Sequence, residues 1–252
     1  MRDPTQRFAT RVENYIKYRP GYPRQVLGIL GEECALSPDW HVADVGSGTG
    51  LLTELFLGNG NLTYGVEPND EMRRAAEALL KSYTNFTSVK GSAENTTLSD
   101  SSVEMVAAGQ AFHWFNRELA KREFARILKP GGWVALIWNE RRVDTPFLEA
   151  YERLLKEFST DYDMVDHRNV TLDVLASFFS PSGHRLRSCE NYQTLDFEGV
   201  KGRLLSSSYV PEPGDPRCKP MIEEVVRIFE RHQDDGKVVF EYDTRVFIGR
   251  LD

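Results

Sequence analysis

The sequence predicts an α/β fold: a doubly wound, mostly parallel seven-stranded sheet with helices on both faces. Three observations predict it. Short β-rich runs alternate with amphipathic helical runs through the middle of the chain. A glycine-rich loop, Asp44-Val45-Gly46-Ser47-Gly48-Thr49-Gly50, follows the first of those β runs and opens straight into a helical run. The chain closes on Val238 to Ile248, where Phe240, Tyr242, Thr244, Val246 and Ile248 fall on one face of a strand. Strand-helix-strand alternation needs crossover connections, and these build a parallel sheet covered on both sides.

The elements follow in order. His41 to Val45 reads as a buried strand. Leu51, Leu52, Leu55 and Phe56 recur at helical spacing, and Gly58 or Gly60 ends that helix. Leu62 to Val66 is the second strand. Asn69 caps the next helix, with Asp70 and Glu71 in its first turn and Met72, Ala75, Ala76, Leu79 and Leu80 on its apolar face. Phe86 to Val89 and Val103 to Ala108 are further strands. Asn116 caps a helix burying Ala120, Phe124, Ile127 and Leu128. Lys129-Pro130-Gly131-Gly132 predicts a sharp turn before the strand Trp133 to Trp138.

Later the alternation loosens. Phe147, Tyr151, Leu154, Leu155 and Phe158 mark a helix, and Thr171 caps another with Val174, Leu175, Phe178 and Phe179. Arg185 to Leu195 is a strand, and Gly199 to Ser207 and Met221 to Arg231 are helices. One domain, 1–252, is expected. Residues 1–35 would form an N-terminal cap, and about 143–170 and 197–235 would be helical lid insertions.

Composition narrows the function. The net charge of −7 and the absence of a Lys/Arg block argue against nucleic acid. Arg141-Arg142 reads as a solvated loop. Cys34, Cys189 and Cys218 have no CxxC spacing, so neither a disulfide framework nor a metal site is expected. The polar N-terminus is unlike a secretory signal, and no apolar run approaches the roughly 20 residues of a membrane span. A cytoplasmic protein without membrane or nucleic-acid partners is expected; the sequence sets no oligomeric state.

The chemistry begins at the glycine loop. Glycines let its backbone approach a ligand closely, and the helix start offers unpaired N–H groups. A dinucleotide site would carry its third glycine where Leu51 stands, and Asp44 would repel a pyrophosphate. A ligand with a cationic amine fits better, such as the ammonium of S-adenosylmethionine. In Gly65-Val66-Glu67-Pro68-Asn69, Glu67 stands at a strand end where a carboxylate accepts both ribose hydroxyls. In Gly91-Ser92-Ala93-Glu94, small residues would let backbone approach an adenine ring, and Glu94 could accept its amino hydrogens. Gly109-Gln110-Ala111-Phe112-His113-Trp114-Phe115 follows a strand and should face the pocket, with at least one aromatic serving only as cover.

The ordered set DVGSGTG, GVEPN, GSAENTTL, AGQAFHWF and RILKPGGW resembles the class I S-adenosylmethionine-dependent methyltransferases, whose fold is Rossmann-like. Within them it is most similar to small-molecule methyltransferases of the trans-aconitate (type 11) kind. The resemblance covers about residues 8–140 and extends loosely through FEYDTRVFIGRL. It implies that Gly46, Ser47 and Gly48 line the methionine end, with Asp44 near the amine. Glu67 with Pro68 would lie at the ribose, Ala93 and Glu94 at the adenine, and Gln110 would close the methionine side. It also implies that Tyr15-Ile16-Lys17-Tyr18-Arg19-Pro20-Gly21-Tyr22-Pro23 folds over the cofactor. Tyr15 would contribute there, and Arg19 would pair with the methionine carboxylate or an acidic substrate.

The activity so implied is methyl transfer to a small molecule, with S-adenosylhomocysteine as product. In-line displacement needs alignment and exclusion of water more than a base. His113 is the candidate base where an acceptor must lose a proton. His167, Arg168 and Ser206-Ser207-Ser208-Tyr209 are further pocket candidates. Two alternatives stay open: a methyltransferase-like cofactor-binding regulatory protein, and an NAD-dependent oxidoreductase, against which Leu51, Asp44 and the lack of a Tyr-x-x-x-Lys pair argue.

Overall fold

Alternate side chains of the central strands enter two different cores, as burial on both faces demands. Val42, Met105, Ala107, Ala135 and Ile137 pack with Val26, Leu30, Leu52 and Phe56. Ala43, Val45, Val106, Ala108 and Leu136 pack with Phe124, Ile127, Leu175 and Phe178. A computed structural model describes residues 12–160, 162, 170–212 and 214–251. In chain order it runs α1 (Val12–Tyr18), α2 (Gln25–Cys34), β1 (His41–Val45), α3 (Leu51–Asn59), β2 (Leu62–Val66), α4 (Asp70–Leu79), β3 (Phe86–Val89) and β4 (Val103–Gly109). Then follow α5 (Arg117–Ile127), β5 (Leu128–Arg141), α6 (Pro146–Phe158), α7 (Leu172–Phe178), β6 (His184–Leu195), α8 (Phe197–Leu205), α9 (Cys218–His232) and β7 (Val238–Gly249). A 3-10 turn, Phe112–Trp114, links β4 to α5.

The seven strands lie in the order β3-β2-β1-β4-β5-β7-β6. The first five run parallel, and β7 pairs antiparallel with both β5 and β6. The predicted doubly wound, mostly parallel seven-stranded sheet is therefore found. The winding reverses between β1 and β4, which opens a crevice at their carboxyl ends. The predicted caps are in place: Asn69 accepts from the N–H of Glu71 and Met72, and Asn116 and Thr171 from those of Leu119 and Val174. Gly60, at φ 102°, ends α3. No helix among the described residues is long and apolar enough to cross a membrane.

Two expectations are corrected. Lys129-Pro130-Gly131-Gly132 does not break the chain before a separate strand. Val103 pairs with Leu128 and Met105 with Trp133, so the segment bulges out within β5, with Gly131 at φ 74° supplying the bend. Arg141 is not solvated. It is 8% exposed and held by Glu152 at 2.5 Å, because β5 runs on beneath α6. Its neighbour Arg142 does reach the surface, where it pairs with Asp243.

The late helices form a core of their own. Phe147, Tyr151 and Leu154 of α6, Val200 and Leu204 of α8, and Val225 and Phe229 of α9 enclose Phe240 and Tyr242 of β7. This helical cap meets α1 through α8, where Gly202 lets the Tyr18 ring come close. Residues 163–169, with His167 and Arg168, lie outside the described residues, as do residues 1–11 of the expected N-terminal cap.

Candidate cofactor site

The glycine loop is fastened to the end of β2, because Gly46 N and Ser47 N both donate to Val66 O. Its glycines serve different needs. A Cβ at Gly46, φ 71°, would lie 2.6 Å from Ala111 Cβ, and one at Gly50, φ 90°, 2.6 Å from Leu80 Cδ1. Those two are demanded by packing. Gly48, φ 57°, faces open space, so it alone of the three leaves a cradle that a side chain would fill. Gly46 and Gly48 line a cleft at the carboxyl ends of the strands. Ser47 does not line it; its hydroxyl lies against Gly65.

Asp44 ends β1 beneath this loop and is 1% exposed. Oδ2 accepts from Thr53 Oγ1 at 2.6 Å, whereas Oδ1 is buried with no partner among the described residues. Burial pushes its pKa up to about 7, with the Glu67 charge adding to the rise. Glu67 lines the cleft at the end of β2. Its Oε2 accepts from Gly48 N at 2.9 Å and Oε1 from Asn69 N at 2.8 Å. Burial pushes this carboxyl up as well, while those two N–H groups oppose the shift. Each oxygen keeps a second lone pair for a ligand. Apart from the ribose role expected of it, Glu67 ties the glycine loop to the start of α4.

Pro68, Ala93, Glu94 and Gln110 all line the same cleft, as does Tyr15 from α1. Glu94 Oε1 accepts from Asn116 N at 2.8 Å, so part of its acceptor capacity holds the start of α5. Gln110 sits at φ 53°, strained for a side chain with a Cβ, and donates through Nε2 to Asn139 O. Its buried Oε1 has no partner among the described residues. Trp114 and Phe115 line the cleft, and Phe112 is core, packed at 4.7 Å on Phe178. The expected division among the three aromatics is thus observed. His113 is half-buried beside the Trp114 ring and is not among the cleft-lining residues.

Arg19 also stays out of the cleft lining. Its guanidinium stacks over Tyr15 at 5.2 Å and donates to Ser206 O and Ser207 Oγ. The structure thus brings Tyr15 to the cleft and turns Arg19 toward the helical cap.

Comparison with known proteins follows the same ground. Residues 43–136 match the methyltransferase domain family. An uncharacterized methyltransferase of Schizosaccharomyces pombe is 28% identical over 234 residues, covering 92% of each chain. An uncharacterized methyltransferase of Mycobacterium tuberculosis is 36% identical over 140 residues, 56% of this chain and 55% of its own. The chain contains a methyltransferase domain over residues 43–136. A solved structure from Anaeromyxobacter dehalogenans, described as a candidate type II methyltransferase, superposes with a TM-score of 0.70 at 21% identity. It covers 93% of this chain and 98% of its own, and so shares the fold.

Two residues of the candidate site escape a reading of the sequence. Thr53 holds Asp44 from the first turns of α3, where it reads as one more helix residue. Met72 lines the cleft although its spacing marks it as helix core. Tyr22, in the segment expected to fold over the cofactor, packs its hydroxyl on Gly109, where a Cβ would come within 2.5 Å, and burial pushes that phenol well above its ordinary pKa.

Proposed function

We propose that this methyltransferase uses S-adenosylmethionine, leaving S-adenosylhomocysteine, and methylates a small molecule by in-line displacement. The observation that carries the reading is the buried Asp44 Oδ1 without a partner, on the loop whose Gly48 opens to the cleft. A buried carboxylate is stabilised by a cation, and a pyrophosphate there would meet repulsion. The residues therefore suit an amino-acid ammonium at Asp44, a ribose at Glu67, and a flat base beside Ala93 and Glu94. Gln110 would close the methionine side.

When bound, the cofactor supplies a methyl group already activated on a sulfonium. The chain then has to orient the acceptor and exclude water. Tyr15, Trp114 and Phe115 would do both, as aromatic walls of the cleft. No base is assigned: His113 does not line the cleft, and orientation carries the rate in this reading. A cleft covered by α1, itself packed on α8, suits a small acceptor better than a macromolecule, and the acidic net charge speaks against nucleic acid.

Calorimetric titration with S-adenosylmethionine, S-adenosylhomocysteine, NAD and NADP should give binding of the first two alone. Preference for either nicotinamide cofactor defeats the proposal. Incubation with labelled S-adenosylmethionine and a metabolite extract, read by mass, then separates an enzyme from a cofactor-binding regulator.

Glu67→Gln keeps one acceptor oxygen and the side-chain shape. Each charged hydrogen bond lost costs about 1.5–3 kcal/mol, so affinity for S-adenosylhomocysteine should fall about 10- to 150-fold, and the melting temperature should fall too, because the new NH2 must face the N–H of Gly48 or Asn69. An unchanged dissociation constant shows that Glu67 only fastens the loop.

A further inference from the structure

Arg203, on α8, is 6% exposed in the helical cap. A buried guanidinium is costly unless a carboxylate or a full set of acceptors meets it. Neither is present. Five acidic residues of the cap are engaged elsewhere: Glu152 by Arg141, Glu149 by Arg153, Glu198 by Lys201, Glu223 by Lys219 and Glu224 by Arg227. Arg203 makes no ion pair among the described residues.

Its Nε donates to Tyr242 Oη at 2.7 Å, and the guanidinium lies over the Phe240 and Tyr242 rings at 5.0 and 5.5 Å. Tyr242 is held in turn, donating to Gln193 Oε1. The two terminal nitrogens meet no acceptor among the described residues. They are not sealed in the core, unlike the Tyr151 hydroxyl, which is buried with no partner. Arg141 stacks on the Tyr151 ring at 5.0 Å, so a second guanidinium shares this cluster.

We infer that Arg203 is the anchor of an anion-binding site in the helical cap, which takes the carboxylate or phosphate group of a small molecule. The fork of terminal N–H groups matches the paired oxygens of either group, and the flanking rings fix its plane. The Tyr151 hydroxyl supplies a further donor. The site involves none of the residues assigned to the cofactor, so it stands or falls apart from the choice of methyl donor.

The test is thermal unfolding of the full chain without cofactor, at constant ionic strength. Inorganic phosphate, succinate and neutral succinamide are titrated against chloride. Phosphate or succinate should raise the wild-type melting temperature saturably in the millimolar range, and succinamide should not; whichever anion acts identifies the group. Arg203→Met should abolish the shift while melting in chloride no lower than wild type, since an unpaired buried charge has been removed. Tyr151→Phe, which leaves the ring in place, should weaken half-saturation about fivefold. Should Arg203→Met fail to fold, Arg203→Lys serves: it keeps the charge without the fork and should weaken the anion effect as well. The inference is overturned if neither anion shifts the wild type, or if the shift survives unchanged in the Arg203 and Tyr151 variants.

Discussion

Asp44→Asn should weaken S-adenosylmethionine binding on the order of 100-fold, the loss of a charge-assisted bond to an ammonium in a buried site. The fold should survive, because an amide oxygen can still accept from Thr53. The pH dependence makes the expectation sharper. Burial lifts the Asp44 pKa from the ordinary range near 4 to about 7. In the free protein the protonated form is therefore favoured. Its contribution to stability is complete below about pH 4 and is lost as pH rises through about 7.

Ligand binding reverses that preference, since an ammonium favours the carboxylate. Below pH 7 a proton must leave Asp44 as the ligand arrives, and affinity should fall toward tenfold per pH unit. Calorimetry at pH 6 in buffers of different ionisation enthalpy should count nearly one proton released by wild type and none by Asp44→Asn. Equal proton release by both proteins removes Asp44 from contact with the amine.

Gly202→Ala should make S-adenosylhomocysteine dissociate about tenfold faster. Alanine favours helix by about 1 kcal/mol over glycine, so α8 itself gains. The added Cβ, however, falls 2.0 Å from Tyr18 Cε2 and 2.1 Å from Cδ2. Tyr18 and Tyr15 lie three residues apart on α1, so displacing one moves the other away from the cleft. The segment is also latched by Gln193 to Tyr18 O, by Asn191 and Asn139 to Gly21 O, and by Arg19 to Ser206 O.

Two readouts separate this positioning role from general damage. Hydrogen exchange over residues 12–20 should quicken while the β1 and β4 amides stay protected. The double variant Tyr18→Ala/Gly202→Ala should release ligand no faster than Tyr18→Ala alone, because the collision is gone. Dissociation within twofold of wild type in Gly202→Ala shows that α8 does not position Tyr15.

Much of the cofactor cleft was legible because its signals are local. The glycine loop, the acidic residue before it and the carboxylate at the next strand end are each set within a few residues of a strand terminus. Asn69, Asn116 and Thr171 cap their helices for the same reason, since a cap needs only its own first turn. Which glycine faces the ligand was not legible, because Ala111 and Leu80, which occupy the space beside Gly46 and Gly50, come from other elements. Thr53 was hidden likewise: nothing in its helix announces that it touches Asp44.

By itself, the sequence determined the succession of strands and helices along the chain and the parallel winding that follows from it. Hydrophobic period and turn chemistry act over short stretches of chain, so a single sequence carries them in full. The fate of the charges was decided only by the tertiary structure. Arg141, read as solvated, is buried against Glu152; Arg19, assigned to the cofactor, turns to Ser206; and Arg203, in a segment read only as helix, is buried with no counter-charge among the described residues. A charged side chain looks the same in sequence wherever it ends. Its burial and its partners depend on chain segments brought together from far away, and these exist only once the helical cap has packed on β7 and α1.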